Sequence, residues 1–461
     1  MIGAARTSIT WTASAIALAL VVLAPAAARS RRIAFADLPA DLQKRFAARS
    51  LAADPFAAYL DTLERDTARR VADGEREHLI HYALQSSRFT SRPRIEPAES
   101  ARRFVDSLPP ADRRRLLDDG AFVPEVRWPA AERARVAEAL AAATGRGADS
   151  RLAYFASLTD PAGQPLSADA LFRDYVRVAR FLYRKEFLSE TATEVARLYQ
   201  TRSHSSDTQV EASFAVYTGL GALHGLVPDE RINRVLIVGP GLDLAPRTDL
   251  VDVVEPQSYQ PFAVADAVLG LAIGREADLR VHAVDVNDRV VRFVQAIGGA
   301  PATLHVFSGI ADTPEQPFSA DYRLFVQSLG RSIGDTVKAP ETLRTDRRYQ
   351  HSVAVRPAVR RAITAEHLDI VTRRLVDDAG FDLVVITNVL PYFDDTQLAL
   401  AFANMAAMLR PGGFLLHNES RAGVADVGAA VGLPVLHMRS LVVAGSGARA
   451  LYDTIWLHRK Q

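Results

Sequence analysis

Residues 234–243 read Arg-Val-Leu-Ile-Val-Gly-Pro-Gly-Leu-Asp, and this stretch decides the fold prediction. Val235 to Val238 are four consecutive apolar residues, which is typical of a parallel strand buried on both faces. Gly239 and Gly241 follow and remove side chains at a point where a ligand can approach the backbone. The stretch predicts a strand that ends in a glycine-rich turn, and such a turn fits a purely structural role as well as a ligand site. A nicotinamide dinucleotide site would favour Gly-x-Gly-x-x-Gly, but Leu244 occupies the last of these positions.

Strand-like and helical stretches alternate from about residue 231 to the end of the chain. The predicted strands are Arg234–Val238, Arg280–Asp285, Val359–Ile363, Phe381–Thr387 and Gly413–His417. Gln260 to Ile273 is the predicted crossover helix between the first two. This alternation indicates a parallel sheet with helices on both faces, and the strand ends of such a sheet form a ligand crevice. The predicted fold class is therefore α/β, with a Rossmann-like sheet preceded by an α-helical domain.

A carboxylate at the end of the second predicted strand is the candidate ribose ligand. Asp285 stands in Val-Asp-Val-Asn at this strand end, where an acid can accept hydrogen bonds from both ribose hydroxyls. Glu255 competes for the role, but it lies only 16 positions after Gly239, and a parallel crossover needs a dozen or more residues that are usually helical. We therefore favour Asp285, which would also suit the N-cap of the next helix.

The chain before the α/β region is rich in arginine, alanine, leucine and glutamate, which are good helix formers. Residues 33–202 are predicted to form an α-helical domain whose role the sequence does not indicate, and residues 203–461 the α/β domain. His78 and His81 stand three apart after Glu77, whereas a zinc protease helix needs histidines four apart, so we interpret them as a surface pair and predict no metal site. Ser205 to Thr208 are interpreted as a helix N-cap, with a cofactor-lid role as the alternative.

The first 28 residues are predicted to be a signal peptide or a single membrane anchor. Residues 9–28 form one apolar run without charge, barely long enough to span a bilayer. The small residues Ala26 to Ala28 favour cleavage and export, whereas Arg29, Arg31 and Arg32 favour an uncleaved anchor with the rest of the chain in the cytoplasm. Because no second run of this kind occurs, membrane contact is expected only through this segment.

The composition of the 461 residues excludes several chemistries. There is no cysteine, so disulfides, thiolate metal sites and cysteine nucleophiles are ruled out. The formal net charge is +1, and no strong field indicates a nucleic-acid partner. Only four of the 55 basic residues are lysines, a bias that we attribute to a GC-rich bacterial genome.

Four elements in this order resemble a class I S-adenosylmethionine-dependent methyltransferase. They are the glycine turn, Asp285, the Phe381-Asp382 strand and the Pro411-Gly412-Gly413 turn. Within that superfamily the pattern is most similar to the chemotaxis-receptor (CheR-type) glutamate methyltransferases, in the segments Glu255-Pro256 with Tyr259, Ala283–Asn287, Asn388–Phe393 and Leu409–Gly413. An insertion at residues 307–356 also resembles that family's small β-subdomain. The resemblance covers residues 231–461.

The resemblance implies methyl transfer with S-adenosylmethionine as the cofactor. The cofactor-binding residues that it implies are Gly239, Gly241, Asp243, Asp285, Val286, Glu366, His367 and Asn388. Glu366 and His367 would flank the adenine. Asn388 and Tyr392 would stand beside the sulfonium as the catalytic pair, with Phe393 completing an aromatic wall. His417 and Glu419 are lesser candidates, since a solvated strand end is the simpler interpretation of both.

The sequence also departs from the family, and alternatives stay open. Asp243 stands where many members have a third glycine, and the arginine-rich substrate helices of the chemotaxis enzymes are not recognisable, so the methyl acceptor is unidentified. S-adenosylmethionine is a cytoplasmic metabolite, so an active enzyme would have to be tethered on the cytoplasmic face. The second hypothesis is an exported or catalytically degenerate protein that keeps the fold as a binding or scaffold module. A nicotinamide-dependent oxidoreductase is a third, disfavoured by Leu244.

Overall fold

The computed structural model describes residues 29–145, 150–242, 249–253, 255–343, 348–377, 379–447 and 450–461. The predicted leader at residues 1–28 and the predicted ligand Asp243 lie outside these ranges. Among the described helices, none combines the length and the apolar character that crossing a bilayer requires.

Helices and strands segregate along the chain as the sequence predicts. The helices are α1 Ala40–Ala47, α2 Ala53–Gln85, α3 Pro97–Ser107, α4 Pro110–Asp118, α5 Ala130–Ala143, α6 Ser150–Ala156, α7 Phe172–Tyr183, α8 Ala192–Gln200, α9 Glu211–Leu226, α10 Gln260–Gly270, α11 Asp288–Gly299, α12 Ala320–Ser328, α13 Pro357–Ala362, α14 Asp395–Met408 and α15 Val424–Ala430. The strands are β1 Arg29–Arg32, β2 Arg234–Val238, β3 Arg280–Asp285, β4 Thr303–Phe307, β5 Gly334–Thr336, β6 Gln350–Val355, β7 Ile363–His367, β8 Arg373–Val376, β9 Phe381–Ile386, β10 Leu409–His417, β11 Val435–Ala444 and β12 Leu451–Arg459.

A seven-stranded sheet in the order β11-β12-β10-β9-β2-β3-β7 is the centre of the α/β domain. The five strands from β10 to β7 are parallel, and β12 runs antiparallel between β10 and β11. The central strand β2 is covered on both faces, with Val235 to Val238 at most 3% exposed. The predicted α/β, Rossmann-like class is therefore confirmed. Strand β2 pairs with β3 on one side and with β9 on the other. The strand order therefore reverses at β2, and a crevice opens at the carboxyl ends of these strands.

One predicted strand is wrong. The prediction placed the third parallel strand at Val359–Ile363, but residues 357–362 form the short helix α13 and β7 begins at Ile363. Pro357 occupies the first turn of that helix, where a fixed φ and a missing N–H cost nothing. In β7 the buried side chains of Ile363 and Ala365 alternate with more exposed ones.

Residues 29–63 pack on the α/β sheet, although the sequence grouped most of them with the helical domain. Strand β1 pairs antiparallel with β8, and Phe46, Phe56 and Leu60 join the apolar core on the face of the sheet that α14 also covers. The opposite face is covered mainly by α9 and α10. The N-terminal segment is thus part of the helical layer on one face of the sheet.

The helical domain has its own apolar core, formed by the second half of α2 with α3, α5 and α7. Helix α2 has 33 residues, so it extends over about 50 Å and belongs to both cores. A separate three-stranded antiparallel sheet has the order β4-β6-β5. Strands β5 and β6 lie within the predicted insertion at residues 307–356, whereas β4 precedes it and reaches only its first residue. The core of the helical domain and the core of the α/β domain meet along α2, whose residues Thr67 and Val71 lie at the carboxyl ends of the parallel strands.

Candidate functional site

An inner cavity lies in the crevice where the strand order reverses. Its wall comes from α2, from residues 203–208 (hereafter the 203–208 segment) and from the ends of β2, β3, β7 and β9. The lining residues are Thr67, Val71, His204, Ser205, Ser206, Asp207, Thr208, Val238, Gly239, Gly241, Val284, Asp285, Val286, Asn287, Leu368, Asp369, Ile370, Thr387, Asn388, Val389, Tyr392 and Phe393. The predicted residues Gly239, Gly241, Asp285, Val286, Asn388 and Tyr392 are therefore brought together.

The glycine turn is required by its backbone and by a close neighbour. Gly239 and Gly241 have φ of 67° and 65°, which only glycine adopts readily. A Cβ on Gly241 would stand 2.6 Å from the carbonyl oxygen of Ser206. The 203–208 segment lies this close because Leu242 N donates to Ser206 O at 2.6 Å and Thr208 N donates to Leu242 O at 3.0 Å.

The 203–208 segment is not the helix cap that the sequence suggested. Helix α9 begins later, at Glu211, after Val210. The segment instead covers the glycine turn and lines the inner cavity, which agrees with the alternative interpretation as a lid. The cavity measures about 80 Å³, well below the roughly 300–1,000 Å³ usual for ligand pockets. We therefore expect the 203–208 segment to move outward when a nucleoside-sized ligand enters.

Asp285 is the buried acid at the end of β3. It is 8% exposed, and its Oδ1 accepts a hydrogen bond from the backbone N–H of Asn287 at 2.8 Å. Burial raises the pKa of Asp285 to about 6, while hydrogen bonds from the backbone of Asn287 and Gly241 lower it. The helix cap next to it is Asn287, and the competing Glu255 is half exposed and paired with Arg88 at 2.9 Å, away from the inner cavity.

The predicted adenine-flanking residues Glu366 and His367 do not line the inner cavity. Glu366 faces His282, with Oε1 2.6 Å from Nε2, and His367 Nδ1 lies 2.8 Å from Asp288 Oδ1 on the surface. Since β7 ends at His367, four residues later than predicted, Asp369 reaches the cavity instead. Asp369 is 8% exposed and burial raises its pKa. Hydrogen bonds from the side chain of Thr67 and the backbone N–H of Val371 oppose this shift, and the buried Oδ2 keeps a lone pair that can accept a hydrogen bond from a ligand.

Asn388 follows β9 in the left-handed conformation, with φ of 59°. Its side chain and backbone are both held by Asn418: Asn388 N donates to Asn418 Oδ1 at 2.9 Å, and Asn418 Nδ2 donates to Asn388 Oδ1 at 2.8 Å. Asn418 Nδ2 also lies 3.3 Å from Asp453 Oδ1. Asparagine adopts this conformation more readily than most residues, and the two bonds to Asn418 fix the turn after β9.

Tyr392 and Phe393 form the predicted aromatic wall and are 7% and 5% exposed. The ring of His204 stacks on Tyr392 with centroids 5.2 Å apart, and Tyr199 meets it edge-on at 5.6 Å. Burial raises the pKa of Tyr392, while the nearby Arg202 cation opposes that shift. The phenol is therefore neutral and acts through its ring and its hydroxyl group.

Helix α2 supplies site residues that the sequence interpretation missed. Thr67 and Val71 line the inner cavity. One turn further on, Glu75 accepts a hydrogen bond from Asn287 Nδ2 at 2.5 Å and pairs with Arg289 at 3.1 Å, so it supports the turn after β3. The sequence does contain a sign of this role. Charged residues dominate α2 from Arg70 to Glu77, whereas an ordinary amphipathic surface helix has one polar face only.

The two predicted surface histidines of α2 are buried, which corrects the prediction. His78 and His81 are 3% and 2% exposed, and His78 Nε2 lies 3.0 Å from Ser205 Oγ in the 203–208 segment. Burial lowers the pKa of His78 to about 4 and that of His81 to about 3. Both are neutral and sit at the junction of the two cores. Over the described residues, no group of three or more potential ligands is placed to hold a metal ion.

The strand end at His417 is buried, not solvated as predicted. His417 is fully buried, and its Nε2 lies 2.9 Å from His458 Nε2. Glu419 N donates to His417 Nδ1, and His458 Nδ1 is 2.7 Å from Leu433 O, so one set of neutral tautomers satisfies the whole chain of contacts. Neither His417 nor Glu419 lines the inner cavity.

An outer cavity of about 590 Å³ adjoins the inner one. It is lined by Lys185, Tyr199, Arg202, Ser205, Asp207, Thr208, Gln209, Glu211, Ala212, Ile310, Asn388, Pro391, Tyr392, Val443, Leu451, Tyr452 and Asp453. Five of these residues also line the inner cavity, namely Ser205, Asp207, Thr208, Asn388 and Tyr392. The two cavities therefore share one wall.

Three features characterise the C-terminal part of the chain. They are a parallel sheet with one antiparallel strand next to its edge, a glycine turn after β2 and a buried acid at the end of β3. Residues 331–427 match the family model described as CheR methyltransferase, SAM binding domain. The C-terminal part of the chain thus contains a CheR-like region, and the cofactor that this match supports is S-adenosylmethionine. The buried acceptors Asp285 and Asp369 suit the hydroxyl and amino donors of that cofactor.

Solved structures with a similar fold include several methyltransferases. The N-methyltransferase NodS of Bradyrhizobium japonicum WM9 is 15% identical over 54% of this chain and 87% of its own, with a TM-score of 0.27. The magnesium protoporphyrin IX methyltransferase of Synechocystis PCC 6803 is 10% identical over 61% and 97%, with a TM-score of 0.28. The glycopeptide N-methyltransferase MtfA is 12% identical over 60% and 90%, with a TM-score of 0.27. No curated protein matches the sequence.

Proposed function

We propose that the protein transfers a methyl group from S-adenosylmethionine in the inner cavity to an acceptor in the outer cavity. The observation that carries this proposal is the shared wall. A methyl donor and its acceptor must approach each other through one opening, and Asn388 and Tyr392 border both cavities at that place. Since the donor is already activated, alignment of the two partners is the main task of the protein.

Different residues of the inner cavity would contact different parts of the cofactor. The cofactor supplies a methyl group on a positively charged sulfur. Asp285 would accept the ribose hydroxyls, and Asp369 would accept the adenine amino group through Oδ2, in place of the Glu366-His367 pair that the sequence suggested. Tyr392 would border the positive end of the cofactor, although the His204 ring already stacks on it and the Arg70 guanidinium lies 5.9 Å from its ring centre. Asn388 would order this end of the site through its contacts with Asn418.

The competing hypotheses differ in what the inner cavity binds. A degenerate scaffold would keep the contracted cavity of about 80 Å³ closed to any nucleoside. A nicotinamide oxidoreductase would bind NAD⁺, but a pyrophosphate is best held by a third glycine where this chain has Leu244. The buried acids that line the cavity, Asp285 and Asp369, favour the nucleoside of S-adenosylmethionine.

Isothermal titration calorimetry of the purified chain with S-adenosylmethionine, S-adenosylhomocysteine and NAD⁺ tests this proposal. We expect binding of the first two at micromolar concentrations and no binding of NAD⁺. NAD⁺ binding alone would establish the oxidoreductase hypothesis, and the absence of all three binding signals would establish the scaffold hypothesis.

We further propose that the domain acts in the cytoplasm, tethered by its N-terminal apolar segment. The support is the location of the cofactor, together with Arg29, Arg31 and Arg32 directly after the apolar run. A reporter that is active only in the periplasm, fused after Gln461, should stay inactive, while a reporter active only in the cytoplasm should work. The reverse pattern would mean export.

A further inference from the structure

The outer cavity combines carboxylates with tyrosine rings. Its acidic residues are Asp207, Glu211 and Asp453, and its tyrosines are Tyr199, Tyr392 and Tyr452. We propose that the methyl acceptor is an amine carried on an apolar or aromatic body. This inference rests on the proposed function and specifies its acceptor, because carboxylates and aromatic faces together recognise amines and ammonium ions.

The two cations of the outer cavity each face a carboxylate of the protein. Lys185 Nζ donates to Glu186 at 2.8 Å. The guanidinium of Arg202 lies 4.2 Å from the ring centre of Phe181 and faces the buried carboxylate of Glu77, while its Nε has no hydrogen-bond partner among the described residues. A glutamate side chain of the kind methylated by the chemotaxis enzymes would therefore have to compete with Glu77 for Arg202, which is only 7% exposed.

Two of the carboxylates, Glu211 and Asp453, keep capacity for a ligand. Glu211 uses Oε1 to accept hydrogen bonds from Ser308 Oγ, Gly309 N and Tyr322 OH, while its Oε2 is buried and accepts none from the described residues. An unpaired buried acceptor of this kind costs free energy until a donor arrives.

Asp453 is placed beside the shared wall. Its Oδ1 is 3.3 Å from Asn418 Nδ2, and Asn418 holds Asn388, which borders both cavities. Burial raises the pKa of Asp453 to about 6, so the group is still a carboxylate at neutral pH. An amine hydrogen-bonded to Asp453 would direct its nitrogen toward the opening between the cavities.

The apolar part of the lining accounts for the body of the acceptor. Ile310, Pro391, Val443 and Leu451 line the outer cavity together with the exposed ring of Tyr452. An aromatic or aliphatic group bound there loses contact with water at a gain of about 25 cal/mol per Å² of apolar surface.

The transfer balances without a further reagent. An ammonium group first loses one proton, which Asp453 accepts and passes to solvent. The lone pair of the neutral amine then forms the nitrogen–carbon bond, the carbon–sulfur bond breaks, and its electron pair remains on sulfur. The product is a methylated ammonium ion that pairs with the carboxylate of Asp453.

Three matched probes test the acceptor class by binding, without turnover. The full chain is saturated with S-adenosylhomocysteine and titrated calorimetrically at pH 8 with 2-phenylethylamine, 2-phenylethanol and 3-phenylpropionate. We expect the amine to bind at least about tenfold more tightly than the other two, the gain typical of one charge-assisted hydrogen bond. Equal affinities, tighter binding of the acid, or no binding of any probe to the loaded protein would overturn the amine assignment.

Substitutions test which residues of the outer cavity bind the amine. Asp453→Asn should weaken amine binding about tenfold and leave the affinity for 2-phenylethanol and S-adenosylhomocysteine unchanged. Tyr452→Leu, at a side chain 62% exposed and therefore dispensable for folding, should weaken the amine a few-fold. Asp335→Asn, an exposed acid on β5, is the control and should change nothing. Full amine affinity in Asp453→Asn would overturn the assignment, whereas failure of S-adenosylhomocysteine to bind the unmodified chain would overturn the proposed function itself.

Discussion

Replacement of Asp285 by asparagine should stabilise the free protein and weaken cofactor binding. The pKa of Asp285 is about 6 in the folded chain against an ordinary value of 3.8. At one pKa unit per 1.36 kcal/mol, this difference of about 2.2 units means that the folded state is destabilised by about 3 kcal/mol when the group is ionised. An uncharged amide of the same shape removes most of that cost.

The pH dependence has a definite sign. Between pH 3.8 and about 6 the folded state holds a proton that the unfolded state has lost, so the contribution of Asp285 to the free energy of unfolding falls as pH rises through this window. Above pH 6 the full cost of about 3 kcal/mol is present, and below pH 4 it vanishes. The stabilisation by Asp285→Asn should therefore be about 1–3 kcal/mol at pH 7.5 and close to zero near pH 4.

Urea denaturation at pH 7.5, 6, 5 and 4 measures the free energy of unfolding of the unmodified chain and of Asp285→Asn. Asp335→Asn, at an exposed acid, is the control. Calorimetry with S-adenosylmethionine completes the test. A carboxylate that accepts two hydroxyl hydrogen bonds contributes about 1.5–3 kcal/mol for each, so the affinity of the variant should fall at least about tenfold. Equal destabilisation at every pH, or unchanged cofactor affinity, would refute the reasoning.

Three further perturbations separate the contributions of the turn, of α2 and of the buried histidines. Gly241→Ala places a Cβ 2.6 Å from Ser206 O and should cost about 1–3 kcal/mol more than Gly432→Ala, where φ is also positive but no atom lies within 4 Å; equal losses in urea denaturation would contradict this. Glu75→Ala removes the partner of Asn287 and Arg289 and should lower the free energy of unfolding by about 3 kcal/mol. It should also weaken S-adenosylmethionine in calorimetry, and an unchanged affinity would mean that α2 does not support the site. His81 has a pKa of about 3 in the folded chain, so its contribution to stability is complete above pH 6.5 and is lost at about 1.4 kcal/mol per pH unit as pH falls below that value. His81→Gln should reduce the slope of unfolding free energy against pH by that amount between pH 6 and 4, and an identical slope would refute the assignment.

The parallel strands were predictable because each carries its own signal. Val235 to Val238 and the buried strand at Phe381–Ile386 are apolar throughout, as strands covered on both faces must be. Asp285 was also predictable, since its position at a strand end follows from that strand. The third strand was predicted four residues too early, over residues that form helix α13, and this displacement moved the predicted adenine residues from Asp369 to Glu366 and His367.

The missed residues depend on contacts between distant parts of the chain. His78 looks like a surface histidine in any local window, and it is buried only because the 203–208 segment crosses α2 there. Gly74 shows how close this crossing is, since a Cβ on it would stand 1.8 Å from the carbonyl oxygen of His204. Hydrophobic periodicity identifies a buried helix face only when that face is apolar. The contact between α2 and the 203–208 segment is polar on both sides, so local sequence patterns do not predict it.

The same crossing determines how the inner cavity can open. Arg70 on α2 is 4% exposed and donates to three backbone carbonyls, at 2.7 Å to Arg202, 3.1 Å to Tyr199 and 3.3 Å to Tyr392. It therefore ties α2 to the start of the 203–208 segment and to the aromatic wall at once. Movement of the segment away from Gly241 breaks the bonds around Leu242, whereas Ser203 Oγ stays bonded to Glu77 and His204 N to the carbonyl oxygen of Arg70, so we expect residues 205–208 to be the part that moves. An opening of this kind would widen both cavities together, because Ser205 and Asp207 border each of them. Cofactor entry and acceptor entry would then depend on one motion, which explains why the helical half of the chain is built into the site.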